Sequence, residues 1–272
     1  MSNNNITDNS TLNYTMGYDD AVRKLLSRRS VETDAAHLLG YLKPGLRVLD
    51  MGCGPGTISL GLAKAVEPGE LYGIDMEESQ INIAQAAAST AGYRNAIFQT
   101  SDATKLPFEN SYFDIVHCNA VLFHIPDTNA ALAEVRRVLK PGGIISSRDM
   151  FVESSFFEPE VGSIFDTFSE LVKEKGGYPQ MGKELKQKFL KAGFSDVISG
   201  ISFEPFITTE DVNILYEFVV SWFFGPRTVQ EILKHGILTK EELDELRIKL
   251  DEWKNTPGSL AGFAWGNAIG RN

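Results

Sequence analysis

Cysteine is nearly absent. Cys53 and Cys118 are the only two in 272 residues, and both fall in stretches that read as core. Two such thiols build no disulfide framework and no zinc site. Long apolar runs are missing too: nothing approaches the roughly 20 residues that cross a bilayer, and no secretory leader is expected. Positive charge is in deficit, with 26 Lys and Arg against 36 Asp and Glu and a formal charge of −10. Phosphate backbones and anionic membranes need a basic face, which argues against nucleic acid and membrane as partners. The chain is therefore expected in the cytoplasm. Its 43% of hydrophobic residues can bury a sizeable core. The length suits one elaborated domain, or one domain with a lid.

What is present centres on residues 46–57, LRVLDMGCGPGT. Val48 and Leu49 are strand formers. Gly52, Gly54 and Gly56 then allow a sharp turn and close approach to a ligand. Ile58, Leu60, Leu62 and Ala63 continue with helical character. Strand, glycine turn and helix make the first half of a nucleotide-binding β-α-β unit. Dinucleotide sites use G-x-G-x-x-G, whereas this turn is G-x-G-x-G with Asp50 two residues ahead. An acid there repels a diphosphate and suits a cationic ligand, such as one bearing an ammonium and a sulfonium. An NAD-dependent oxidoreductase is the less favoured alternative.

Further acids recur at the ends of short apolar stretches. Asp75 closes a second strand, where an acid hydrogen-bonds the ribose hydroxyls of an adenosine. Asp102 follows a third strand at residues 96–100 and could receive an adenine amino group. Asn119 ends a fourth strand, and Ile144 and Ile145 open a fifth toward Asp149. Helices are expected between them, one of them N-capped by Asp127. This alternation predicts an α/β fold with a doubly wound, mostly parallel, Rossmann-like sheet of seven strands.

The motifs VLDMGCGPGT (48–57), GID (73–75), DA (102–103), LPF (106–108), FD (113–114) and VLKPGG (138–143) occur in order. In this the chain resembles the class I S-adenosylmethionine-dependent methyltransferases. It resembles in particular the ubiquinone and menaquinone biosynthesis members and their natural-product, small-molecule relatives. The resemblance implies S-adenosyl-L-methionine as cofactor. It places Tyr18, Asp50, Gly52, Gly54, Asp75, Met76, Asp102, Ala103, Asn119 and His124 on the cofactor side. The implied reaction is in-line methyl transfer to a small, largely apolar metabolite. A sulfonium methyl is already activated, so a general base is needed only if the nucleophile arrives protonated. Tyr14, Tyr18, His124 and Asp149 are the candidates for that role, with no catalytic residue assigned. A non-catalytic S-adenosylmethionine-binding protein is a second alternative.

Four segments are expected: a disordered tail (1–13), an N-terminal cap helix (14–40), the cofactor-binding core (41–150) and a helical lid (151–272) carrying the last two strands. A single helix is expected over residues 19–39, and residues 14–18 are read as a flap over the ligand. The helix around Val212, Phe218 and Trp222 is apolar all round, which suits burial, a pocket wall or a homo-oligomer interface. Thr239 with Glu242 predicts a capping box. No metal site is expected.

Overall fold

The computed structural model describes residues 20–272. Its centre is a parallel run of β1 (Arg47–Met51), β2 (Glu70–Asp75), β3 (Ala96–Thr100), β4 (Phe113–Asn119) and β5 (Leu139–Met150). Their spatial order is β3-β2-β1-β4-β5. Val48 faces one hydrophobic cluster and Leu49 and Met51 the other, so β1 is buried on both sides, as parallel strands between helical layers are. Strand order reverses between β1 and β4, which opens a crevice at the carboxyl ends of the strands.

The antiparallel half is more elaborate than expected. β8 (Leu260–Arg271) pairs with β5 along one edge and with β7 (Ser195–Phe206) along the other. A short β6 (Phe156–Glu158) continues the β5 edge against residues 260–262 and makes the sheet eight-stranded. Three residues carry too little alternation to be seen as a strand in sequence, and this one exists because β8 offers it an edge.

Helices α3 (Thr57–Val66), α4 (Glu78–Ala91) and α5 (Thr128–Val138) connect the parallel strands. Asp127 does cap α5, accepting the Ala130 amide at 2.9 Å. The expected helix over 19–39 is three pieces: α1 (Asp20–Leu26), α2 (Val31–Asp34) and a 3-10 turn, Ala36–Tyr41. Ser30 breaks it by capping α2: its Oγ accepts the Thr33 amide at 3.3 Å and its own amide bonds Asp34 Oδ2 at 3.0 Å. Tyr14, Tyr18 and the rest of the expected flap lie outside the described residues.

The helical cover consists of α6 (Ile164–Glu174), α7 (Met181–Lys191), α8 (Thr209–Trp222), α9 (Pro226–Lys234) and α10 (Lys240–Asn255). The α10 capping box forms as predicted, with Thr239 Oγ1 accepting the Glu242 amide at 3.2 Å. Gly225-Pro226 separates α8 from α9 and starts the latter, since proline fits the first helical position. α1 lies against α8, joined by Lys24–Glu217 at 2.7 Å and Arg28–Asp211 at 2.5 Å.

Candidate active site

The glycine turn between β1 and α3 forms the floor of a cavity of about 410 Å³. Gly52 has φ 74°, and a Cβ there would lie 2.3 Å from Val121 Cγ2. Gly54, at φ 51°, has nothing within 4 Å of that position and leaves its backbone open to the cavity. Every cofactor-side residue expected from sequence lines this one cavity, apart from Tyr18, which lies outside the described residues.

Asp50, Asp75 and Asp102 line the cavity. Asp50 is 3% exposed and accepts a 2.5 Å hydrogen bond from Ser59 Oγ. Burial, with the charge of Asp75 adding to it, pushes its carboxyl up to about 7, against the lowering by Ser59. Asp75 is raised by burial, an effect opposed by the backbone amides of Glu77, Gly54 and Met76. Its Oδ2 accepts the Gly54 amide at 2.9 Å and its Oδ1 the Glu77 amide at 3.0 Å. Those bonds shape the glycine turn, and the carboxylate, with about four acceptor sites, keeps capacity for a ligand. Asp102 is exposed and braced by Thr104, whose amide and hydroxyl both donate to Oδ1 at 2.8 Å.

Among the described residues, three side chains of the wall, Gln80, Asn119 and Arg29 through its Nε, hold buried polar atoms with no hydrogen-bond partner. Both amide atoms of Gln80 are unsatisfied, and so is Nδ2 of Asn119, whose Oδ1 accepts from Arg148 at 3.3 Å. Buried amides left unpaired are costly, and a polar ligand in the cavity would satisfy them.

A family model described as "Methyltransferase domain" matches residues 42–193. A demethylmenaquinone methyltransferase of Bacillus pumilus is 31% identical over 190 residues, covering 64% of this chain and 79% of that protein. The chain belongs to the S-adenosylmethionine-dependent methyltransferase family. An uncharacterized methyltransferase of Schizosaccharomyces pombe is 35% identical over 155 residues, 55% of this chain and 56% of that one. The chain spans a little over half the length of the fungal relatives it matches. The crystal structure of the YcgJ protein from Bacillus subtilis superposes with a TM-score of 0.62 at 19% identity, covering 89% of this chain and 98% of that one, a likeness of fold.

Of the residues expected to supply a base in such a methyltransferase, His124 is at the cavity and Asp149 is not. His124 ends the 3-10 turn Leu122–His124, its ring centre 3.7 Å from that of Phe123 and tilted 38° to it. Burial first, then the charges of Lys175 and Arg29, lower its ring to about 3, so it is neutral. Asp149 is fully buried behind that turn and lines neither cavity. Its Oδ1 accepts the Phe123 amide at 3.3 Å and its Oδ2 the Ser147 hydroxyl at 2.9 Å. It holds the loop that carries His124.

Sequence reasoning missed several residues. Gln80 stands beside Ile81 and Ala84 on the buried side of α4, and a polar residue at a core-facing position was the available signal. Ala120 follows Asn119 with φ 58°, a conformation that alanine adopts at a cost of about 1 kcal/mol. A second, smaller cavity of about 40 Å³ lies beyond it, walled by Phe157, Phe165, Phe168, Trp222, Phe263 and Trp265. Arg29, Ala120 and His124 line both cavities.

Proposed function

We propose that this chain transfers the methyl group of S-adenosyl-L-methionine to a small, largely apolar acceptor by in-line displacement. The observation that carries the reading is the pair of adjoining cavities. One has an acid-flanked glycine floor and unsatisfied amides. The other is walled by aromatic rings. They meet at Ala120 and His124. Gly52, Gly54, Asp50, Asp75, Met76, Gln80, Asp102, Ala103 and Asn119 would hold the cofactor. When bound, it supplies an electrophilic methyl on a sulfonium. The chain's own part is to bind the two partners, orient them and exclude water. The similarity to a demethylmenaquinone methyltransferase supports a quinone-like or other natural-product acceptor. The four-segment division, the cytoplasmic location and a homo-oligomer belong to the same reading, though not an oligomer built on α8, whose apolar side chains are buried or half-buried within the chain.

Isotope-labelled S-adenosylmethionine incubated with the protein and a small-molecule extract should yield a labelled, extractable product. Binding of S-adenosylhomocysteine without transfer to any acceptor would support a non-catalytic binder instead. Asp75→Ala should weaken cofactor binding by roughly 1.5–3 kcal/mol, the scale of a charge-assisted hydrogen bond. Unchanged affinity would remove the ribose assignment.

A further inference from the structure

We propose that Arg29 and the side-chain amide of Asn119 form a clamp for the amino-acid carboxylate of the cofactor, by which the cavity tells S-adenosylmethionine from nucleosides that lack that group. The inference rests on the cofactor reading above and assigns one subsite within it.

Asp50, Asp75, Glu77, Asp102 and Asp127 give the larger cavity an acidic wall. Arg29 is the one lysine or arginine that lines it among the described residues. The break between α1 and α2 sets it there. Thr57 Oγ1, at the start of α3, donates to the Leu26 carbonyl at 3.4 Å and ties the end of α1 to the glycine turn. Among the described residues no ion pair holds the Arg29 guanidinium: Asp34 is taken by Arg148 at 3.0 Å and Asp211 by Arg28 at 2.5 Å. Its Nε is buried with no hydrogen-bond partner. An anion brought by a ligand would lower the cost of that arrangement.

The ring of Trp265 links Arg29 to the second donor. The guanidinium carbon of Arg29 is 5.6 Å from the ring centre and that of Arg148 is 3.9 Å from it. Arg148 in turn donates to Asp34 Oδ1 at 3.0 Å and to Asn119 Oδ1 at 3.3 Å. With its oxygen held in this way, the Asn119 amide keeps one orientation, and its buried, unpartnered Nδ2 is the atom left for a ligand. Both unfilled groups are donors only, so the ligand group that meets them must bring acceptor oxygens. Beside a guanidinium, a carboxylate with its two oxygens fits best. The ribose and the adenine amino group, assigned to Asp75 and Asp102, need acceptors instead, and those acids supply them. Helix α3 also starts at this wall. Its first turn holds no acid and no side chain caps it, so its positive end favours an anion.

The test is titration calorimetry with two ligands, S-adenosylhomocysteine and its decarboxylated analogue S-adenosyl-3-thiopropylamine. The analogue keeps the nucleoside, the sulfur and the ammonium and lacks only the carboxylate. The wild type should bind S-adenosylhomocysteine roughly ten- to hundredfold more tightly than the amine, the range of a charge-assisted contact. Arg29→Met should bring the two affinities together by weakening S-adenosylhomocysteine alone, and Arg29→Lys should keep part of the preference. Asn119→Asp keeps an acceptor for Arg148 but puts a carboxylate where the donor stood, and it should lower the preference as well. The ratio between the ligands is the readout, since a loss of structure weakens both. Equal affinity of the wild type for the two ligands would overturn the proposal. So would an equal loss of both in Arg29→Met, or a preference that survives that change, as it would if Arg29 served the methyl acceptor instead. Binding of neither ligand to the wild type would overturn the cofactor reading beneath it.

Discussion

Asp50 and Asp149 illustrate two uses of one residue type. Both are buried carboxyls pushed up to about 7, chiefly by burial. Asp50 faces the cofactor cavity, and a cationic ligand favours its ionised form. Below pH 7 that ligand must also displace a proton, so affinity for S-adenosylmethionine should rise with pH between 6 and 7.5, by up to about tenfold per unit. Calorimetry over that range should show the slope in the wild type and its loss in Asp50→Asn. An equal slope in both proteins would mean that another group titrates. Asp149 is predicted to act through the backbone of the His124 turn. Asp149→Ala should cost roughly 2 kcal/mol in urea unfolding and slow turnover, while Asp149→Asn, which keeps an acceptor for Phe123, should recover most of both. That Asp50, Asp75, Asp102 and Asn119 would face one cavity was legible because each stands at or just past the carboxyl end of a strand. Arg29 and Trp265 were not, because they meet only through the pairing of β8 and the break before α2.

The elements divide in the same way. Strands β1 to β5 and their helices follow local periodicity, so their order was readable, and the Thr239–Glu242 box, two residues three apart, marked the start of α10 without any tertiary influence. β6 and the broken α1–α2 segment depend on partners distant in sequence. The fit of α7 onto β8 is another such feature. A Cβ on Gly182 would lie 2.4 Å from the Asp149 carbonyl oxygen and 2.8 Å from the Gly266 nitrogen. Both are sheet backbone, which cannot give way as a side-chain tip can. Gly182→Ala should therefore destabilise the protein by about 3 kcal/mol, and a melting temperature equal to wild type would show that α7 does not sit this close.

For the whole molecule, the buried polar cluster between the N-terminal segment and the sheet sets the response to acid. Ser146 Oγ lies 3.1 Å from His117 Nδ1 and 3.0 Å from His37 Nε2, and Arg148 pairs with Asp34 at 3.0 Å beside them. Burial, then the charge of Arg148, lowers His37 to about 4; burial, then the charges of His37 and Arg148, lowers His117 to about 3. An unfolded histidine takes a proton near 6.5, so the stability held by each neutral ring is full above that pH and is lost as pH falls toward the folded value. Asp50 and Asp149 run the other way, contributing below about 4 and losing that contribution as pH rises through 7. The His37 share is about 2 kcal/mol at pH 5. His37→Gln should remove it, narrowing the gap between urea midpoints at pH 7.5 and pH 5; an unchanged gap would place the acid sensitivity elsewhere. The central claim is that the cavity above the glycine turn holds S-adenosylmethionine, and titration calorimetry with S-adenosylhomocysteine in the presence and absence of NAD tests it most directly. Saturable one-to-one binding, indifferent to NAD and weakened by Asp75→Ala, is the predicted result, and no binding, or displacement by NAD, would contradict it.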